Sequence, residues 1–461
     1  MSPLDDDDVL YPNGVDPDGD LAWQPLRLDA LAARLGSAPG TTPVDTAADE
    51  DVETYRRLRY GLAADDLSEA GWGVLARPGY DRVLDELAPL LERRAQEAQA
   101  VYRPPVEVGE GEGAEALFRR LRVGPGNADP RELPYYLLIL GGPEEISFET
   151  QQVIAQTRAV GRLSLERLED YRTYAENVIE AEDRPRRGRP EATFFAAVNG
   201  DDRATRRSRD QLVTPLADAL EEANPGWRVR RLTGEAATKP QLLSLVTDEA
   251  PPLLFAAAHG LASRLGSAHQ RERQGALIAS EWRGHGTPCP PSCYLTGDEL
   301  PAELGLAGGI AFLFACFGAG TPSHDAFWFH DGEPTGPRRT ADPPFVARLV
   351  QGLLSRRGGP SAVIGHVDRA WTCSFFWHRA GQINGYADTL AALIGGGRVG
   401  SALEWLLQVF HDQGGRHFVL DEQRKAGRSV DEELLQRYRL AAHDARNFVV
   451  CGDPAARLSI A

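Results

Sequence analysis

The feature that most constrains this chain is an apolar run, IAFLFA at 310–315, which leads without interruption into Cys316 and the turn FGAG. A strand covered on both faces reads as a continuous apolar run, whereas a half-exposed strand alternates. The run is therefore expected to be a buried strand of a parallel sheet. It delivers a thiol to the carboxyl end of that strand, the edge where open parallel sheets carry their sites. Taken alone, the thiol reads first as a packed core cysteine, because unpaired cysteines are among the most buried residues.

The rest of the chain follows the same pattern. Before residue 190, strands are expected within GWGVLA at 71–76 and at 135–140. A helix over 81–100 carries Val83, Leu84, Leu87, Leu90 and Leu91 on one face, and a second spans 165–181. The basic, proline-containing run DRPRRGRP at 183–190 reads as a linker. Beyond it, apolar runs at 192–198, 253–258, 310–315, 362–366 and 448–451, with an edge strand at 227–232, alternate with helices. These helices are expected near 204–222, 241, 345–354, within 383–410, and at 430–442, the first of them kinked by Pro215. Such alternation implies an α/β fold with a mostly parallel sheet and helices on both faces, preceded by a smaller α/β subdomain. A chain of 461 residues exceeds what one core usually serves. The expected division is a lead-in over 1–70 with a short apolar helix at 26–35, a first α/β subdomain over 71–183, and a main domain over 190–461.

A net charge of −17 argues against direct nucleic-acid or anionic-membrane binding, since both need basic patches. There is no apolar stretch of membrane-spanning length and no secretory leader pattern, so the expected location is the cytoplasm. Of the five cysteines, Cys289 and Cys293 are spaced like half a zinc site but lack a second pair, and neither a metal nor a cofactor is expected.

The chemistry comes from a second strand end. The run LLFAAA at 253–258 terminates in His259-Gly260, so neighbouring strands would present an imidazole and a thiol at one sheet edge. A thiolate is the nucleophile of acyl transfer, and an adjacent imidazole can take its proton and return it to the leaving amine. The backbone N–H groups of Gly260 and Cys316 could hold the oxyanion, with glycine permitting close approach.

Four segments in this order, AAAHG, FLFACFGAGTP, AVIGHVDRAWTCSF and NFVVCGDPAARL, resemble the caspase-like cysteine peptidases, especially the gingipain branch and the bacterial CHAT-domain proteins. The block from PYYLLILGGPEEI to AVGRL is similar to the subdomain that precedes the catalytic one in gingipain-like chains. The resemblance implies a caspase-hemoglobinase fold, His259 as general base and Cys316 as nucleophile. It also implies peptide-bond hydrolysis through an acyl-enzyme, with no cofactor, in a bacterial stress or defence setting. Where many basic-specific members carry an acid two positions before the nucleophile, this chain has Phe314, so basic specificity does not carry over from that motif.

Asp368 and Trp371, in the loop after the strand at 362–366, are the candidate substrate-binding residues. Asp368 would pair with a basic substrate side chain or with Arg369, and Trp371 would wall an extended peptide. His324, Asp325, Glu281 and Trp282 are weaker candidates, Glu281 and Trp282 as orienters of His259 or as groove lining. Asp453 is expected in a structural turn. The segments 331–344 and 183–190 are candidate cleavage or gating sites. The reading is a cysteine endopeptidase acting on protein or peptide substrates, with room for an activating partner protein. The alternative is a catalytically silent scaffold that binds an extended peptide or partner.

Overall fold

The computed structural model describes residues 9–20, 25–27, 29–30, 58–59, 61–124, 127–327, 338–377 and 380–461. Ten strands build one central sheet: β1 (Trp72–Ala76), β2 (Tyr102–Glu107), β3 (Tyr136–Leu140), β4 (Ala159–Leu163), β5 (Glu191–Ala196), β6 (Arg228–Thr233), β7 (Leu253–Ala257), β8 (Ile310–Phe314), β9 (Ala362–His366) and β10 (Phe448–Gly452). Their spatial order is β2-β1-β3-β4-β10-β9-β8-β7-β5-β6. The first five in that order run parallel to one another, as do the last five. The two blocks meet antiparallel at β10 and β9. The fold is thus α/β with a mostly parallel sheet, as the alternation of apolar runs implied.

Alternate residues of the central strands feed two separate cores, which is why their sequences show no polar alternation. Ala311 and Leu313 of β8 pack into one layer with Leu90, Tyr174 and Leu353. Ile310, Phe312 and Phe314 pack into the other with Leu216, Tyr386 and Leu406. Helices Ala88–Ala98, Leu168–Asp183 and Arg348–Ser355 cover the first face, and Thr214–Ala223, Asn384–Ile394 and Glu404–Lys425 the second.

Local differences from expectation have local causes. Pro215 lies inside helical backbone that runs without a break from Arg203 to Ala223. The six residues ahead of it, Ser208–Val213, are wound wide, which interrupts the regular hydrogen-bond ladder next to the residue that has no N–H to give. Strand β2 contains Pro104 and Pro105 and lies at the sheet edge, where a ladder donor is dispensable. Leu26–Arg27 is a strand paired with Val9–Leu10; of the helix expected over 26–35, residues 29–30 are helical, and residues 28 and 31–35 lie outside the described residues. So do residues 331–337 of the 331–344 segment.

A buried polar network ties the blocks together. Asp453, after β10, accepts hydrogen bonds from Trp72 Nε1 (2.9 Å), Ala455 N (3.0 Å) and Arg94 Nε (2.7 Å), and the fully buried Arg94 also bonds Glu182. Among the described residues, no helix is long and apolar enough to cross a membrane.

Candidate functional site

Strands β7 and β8 are parallel neighbours in the register Ala257↔Phe314, and continuing it by two residues sets His259 beside Cys316. The approach is so close that a Cβ built on Gly260 would lie 1.8 Å from the Cys316 carbonyl oxygen, so only glycine fits there. Both His259 and Cys316 are fully buried. The turn after Cys316 is tight: Phe317 has φ +56° and Asp368 φ +76°, left-handed values that cost a non-glycine residue about 1–2 kcal/mol each. A backbone hydrogen bond from Phe317 N to Asp368 O (2.7 Å) locks the two turns together.

His259 Nε2 lies 3.0 Å from Asp202 Oδ2. The same carboxylate accepts Thr205 N and Thr205 Oγ1 at 2.7 Å and His285 Nε2 at 2.9 Å. Burial opposes ionisation of Asp202, but the charge and hydrogen bond of His259, with the bonds from His285 and Thr205, outweigh it. They hold the carboxyl well below the usual carboxylate range. Asp202 also caps the helix that starts at Arg203, so its position is fixed by the backbone. Because Nε2–H is donated to Asp202, the basic lone pair of a neutral His259 is on Nδ1, an atom with no hydrogen-bond partner among the described residues. Trp282 packs edge-on between His259 and His285, with ring centroids 5.6 Å from each.

A segment of the lead-in lies across this site. Residues 9–15 run extended through it: Pro12 bridges antiparallel to Trp371, Asn13 N donates to Ala370 O (3.1 Å), and Gly14–Val15 pairs in parallel with Gly260–Leu261. The carbonyl oxygen of Asn13 accepts from Gly260 N (2.8 Å) and Cys316 N (3.4 Å). Two backbone donors flanking the Cys-His pair thus converge on a single peptide carbonyl. The Cys316 thiol accepts from Ala370 N at 3.3 Å. Its burial beneath the segment pushes its pKa well above the usual thiol value, with the Ala370 N–H and the Arg369 charge only partly offsetting this.

The segment's side chains are seated. Leu10 is buried with Trp371, Phe327, Cys373 and Leu440. Tyr11 lies beneath the guanidinium groups of Arg203 and Arg207, and its hydroxyl accepts from Arg203 at 2.9 Å. The Asn13 side chain is 1% exposed. On the far side of Asn13, a cleft of about 820 Å³ opens between Asp16, Ala262, His285, Phe317 and Arg338.

The remaining candidates fall as follows. Asp368 is fully buried, and its carboxylate accepts Ala326 N and Arg369 N, both at 2.8 Å. The Arg369 guanidinium pairs with Asp325. Trp371 is buried beside the segment, and its backbone N–H donates to Asp444 Oδ1 (2.8 Å). Glu281 caps Lys239 N (2.8 and 3.0 Å) and makes no bond to His259. Cys289 and Cys293 pack with Val15, Leu261 and Trp282.

Sequence reasoning passed over Asp202 and the 9–15 segment. Asp202 follows β5 in an Asn-Gly-Asp-Asp turn that reads as an ordinary loop, and only the neighbouring strand order brings it to His259. The one signal for residues 9–15 was VLYPNG, an apolar patch ending in a turn pair within an acidic stretch.

Fold and site together define an α/β protein that presents a cysteine and a histidine at the carboxyl edge of adjacent parallel strands, with an extended peptide laid over them. No family model matches the chain, and no curated protein matches it in sequence. Among solved structures it is similar to the complex of Porphyromonas gingivalis RgpB pro- and mature domains, at TM-score 0.46 and 14% identity over 84% of this chain and 79% of that one. It is also similar to a structure described as a protease, at TM-score 0.47 and 12% identity over 84% and 78%. A third is the Saccharomyces cerevisiae separase–securin complex, at TM-score 0.30 and 10% identity over 70% of this chain and 15% of that one.

Proposed function

We propose that the protein is a cysteine endopeptidase of the caspase-like type, related to the gingipain or CHAT-domain branch. The observation that carries this reading is the convergence of Gly260 N–H and Cys316 N–H on one peptide carbonyl oxygen, beside a thiol and an imidazole. That is the geometry of an oxyanion hole, whose donors gain strength as negative charge develops on the oxygen.

In this reading Cys316 attacks the carbonyl carbon and His259 Nδ1 takes the thiol proton. Asp202 fixes the tautomer and steadies the imidazolium that forms. The backbone at 370–372 pairs with the substrate on the acyl side, with Trp371 as its wall. Asp368 shapes the turn behind the nucleophile, because its carboxylate is already committed to backbone N–H groups. Protein or peptide substrates are expected, in the cytoplasm of a bacterial stress or defence system, with a partner protein able to release the covering segment.

The test is labelling of the full chain, and of a Leu10→Asp variant whose segment is loosened, with a peptidyl chloromethyl ketone. Modification of Cys316 that disappears in His259→Ala supports a peptidase. A thiol that stays unmodified in both proteins points to the catalytically silent scaffold.

A further inference from the structure

We propose that residues 9–15 are this enzyme's own first substrate: Cys316 cuts the Asn13–Gly14 bond in cis, and the pocket that holds the Asn13 side chain selects asparagine at the cut position of other proteins. The inference rests on the peptidase reading above and deepens it by naming the bond and the substrate class.

Three independent features support it. The segment is bound as a substrate would be, hydrogen-bonded along the 370–372 edge on one side of Asn13 and along Gly260–Leu261 on the other. The Asn13 carbonyl, and no other in the segment, receives both the Gly260 and the Cys316 N–H. The Asn13 amide is almost completely enclosed and has no hydrogen-bond partner among the described residues. Burying an amide in this way is costly for folding alone, and the near-complete enclosure of Asn13 selects by size, against side chains longer than asparagine. A guanidinium would not fit this enclosed volume without opening it. The neighbouring residues extend the preference: an apolar residue three positions upstream, as Leu10 is here, and an aromatic one two positions upstream, as Tyr11 is, stacked on two arginines.

The step balances without an external oxidant or cofactor. The Cys316 sulfur bonds to the Asn13 carbonyl carbon while its proton passes to His259. The carbon–nitrogen bond to Gly14 then breaks, its electron pair stays on the Gly14 nitrogen, and His259 returns the proton there to give an α-amine. Water hydrolyses the thioester, which restores the thiol and leaves Asn13 as a free carboxylate. Gly14 and Val15 remain paired to Gly260–Leu261, so the cut clears the acyl side and leaves the far side ordered.

The experiment follows intact mass and amino-terminal sequence of the full chain over time. It compares wild type, Cys316→Ala, Cys316→Ser and Asn13→Arg. Alongside, coumarin peptides Val-Leu-Tyr-Pro-Asn and Val-Leu-Tyr-Pro-Arg are assayed. The expected result is a new terminus at Gly14 in wild type, none in either Cys316 variant, and cutting of Asn13→Arg and of the arginine peptide slower by about 10²-fold or more. Cutting that persists without Cys316 would mean that the Asn-Gly pair breaks by its own chemistry, and it overturns the proposal. An uncut wild-type chain that hydrolyses the asparagine peptide makes the segment an inhibitor, not a substrate. Preference for the arginine peptide with an intact chain overturns the inference but leaves the peptidase standing. Absence of all cleavage together with an unreactive Cys316 removes the peptidase reading, and the inference with it.

Discussion

Replacing Asp202 by asparagine is the sharpest probe of how the imidazole is held. The substitution is isosteric, and an amide oxygen at the Oδ2 position can still accept from His259 Nε2 and Thr205 N, so the helix cap at Arg203 survives. What is lost is the negative charge 3.0 Å from the ring. At an effective dielectric of about 20, a full charge pair at that distance is worth roughly 5–6 kcal/mol gross. The net value of a hydrogen bond to a charged group is about 1.5–3 kcal/mol. If that net amount is lost only once His259 carries the thiol proton, turnover falls by roughly 10- to 150-fold. The assay is hydrolysis of the asparagine coumarin peptide, with kcat and KM separated and thermal unfolding measured on the same samples. The expected signature is a lower kcat, a KM close to wild type because Asp202 makes no hydrogen bond to the 9–15 segment, and a loss that persists at temperatures well below a somewhat lowered melting temperature. A kcat within twofold of wild type, or a loss that follows only a lower melting temperature, would refute the argument.

Gly260→Ala places a methyl group against the Cys316 carbonyl and displaces one oxyanion donor. Peptide hydrolysis should fall by about 10²–10³-fold, and survival of most activity would show that the donor pair is not used. Asp453→Ala takes one of three carboxylates from the buried Arg94, which keeps Glu182 and Glu97, and leaves Trp72 Nε1 without its acceptor; it should cost about 1–3 kcal/mol in urea unfolding. Burial, reinforced by the Asp325 carboxylate, pushes Asp368 up to about 7. Because that is above its unfolded value near 3.9, its contribution to stability is complete below about pH 4 and is lost as pH rises through about 7. Asp368→Asn, which tolerates the left-handed backbone there, should therefore gain on wild type in melting temperature between pH 5 and pH 8. A constant difference would contradict the assigned direction.

The strands carrying the pair were legible because β7 and β8 are covered on both faces and so read as unbroken apolar runs. The position of His259 and Cys316 at the ends of those runs followed directly. Strand β2 was not legible, because its two prolines suit only an edge and nothing local says that the segment is an edge. Asp202 was hidden for a different reason: it is 57 residues from His259 in sequence, and the contact exists only because β5 is packed beside β7. Asp368 was visible as a charged residue in the right loop. Which of its possible partners it takes depends on two left-handed turns that sequence pattern does not encode. The role of residues 9–15 was hidden most deeply, since an extended segment bound in a groove has no periodicity of its own.

The placement of β10 has a consequence for the order in which the molecule is made. Residues 448–452 are the latest of the ten strands to leave the ribosome, yet they sit between β4 and β9 in the middle of the sheet. Until they emerge, the nascent chain holds two half-sheets, each with an open edge that would pair with any passing strand. The thiol strand β8 is next but one to that gap. Residues 9–15, among the earliest described to be synthesised, therefore wait in a half-built groove until almost the latest have arrived. The groove that seats residues 9–15 thus draws on strands made at widely separated times.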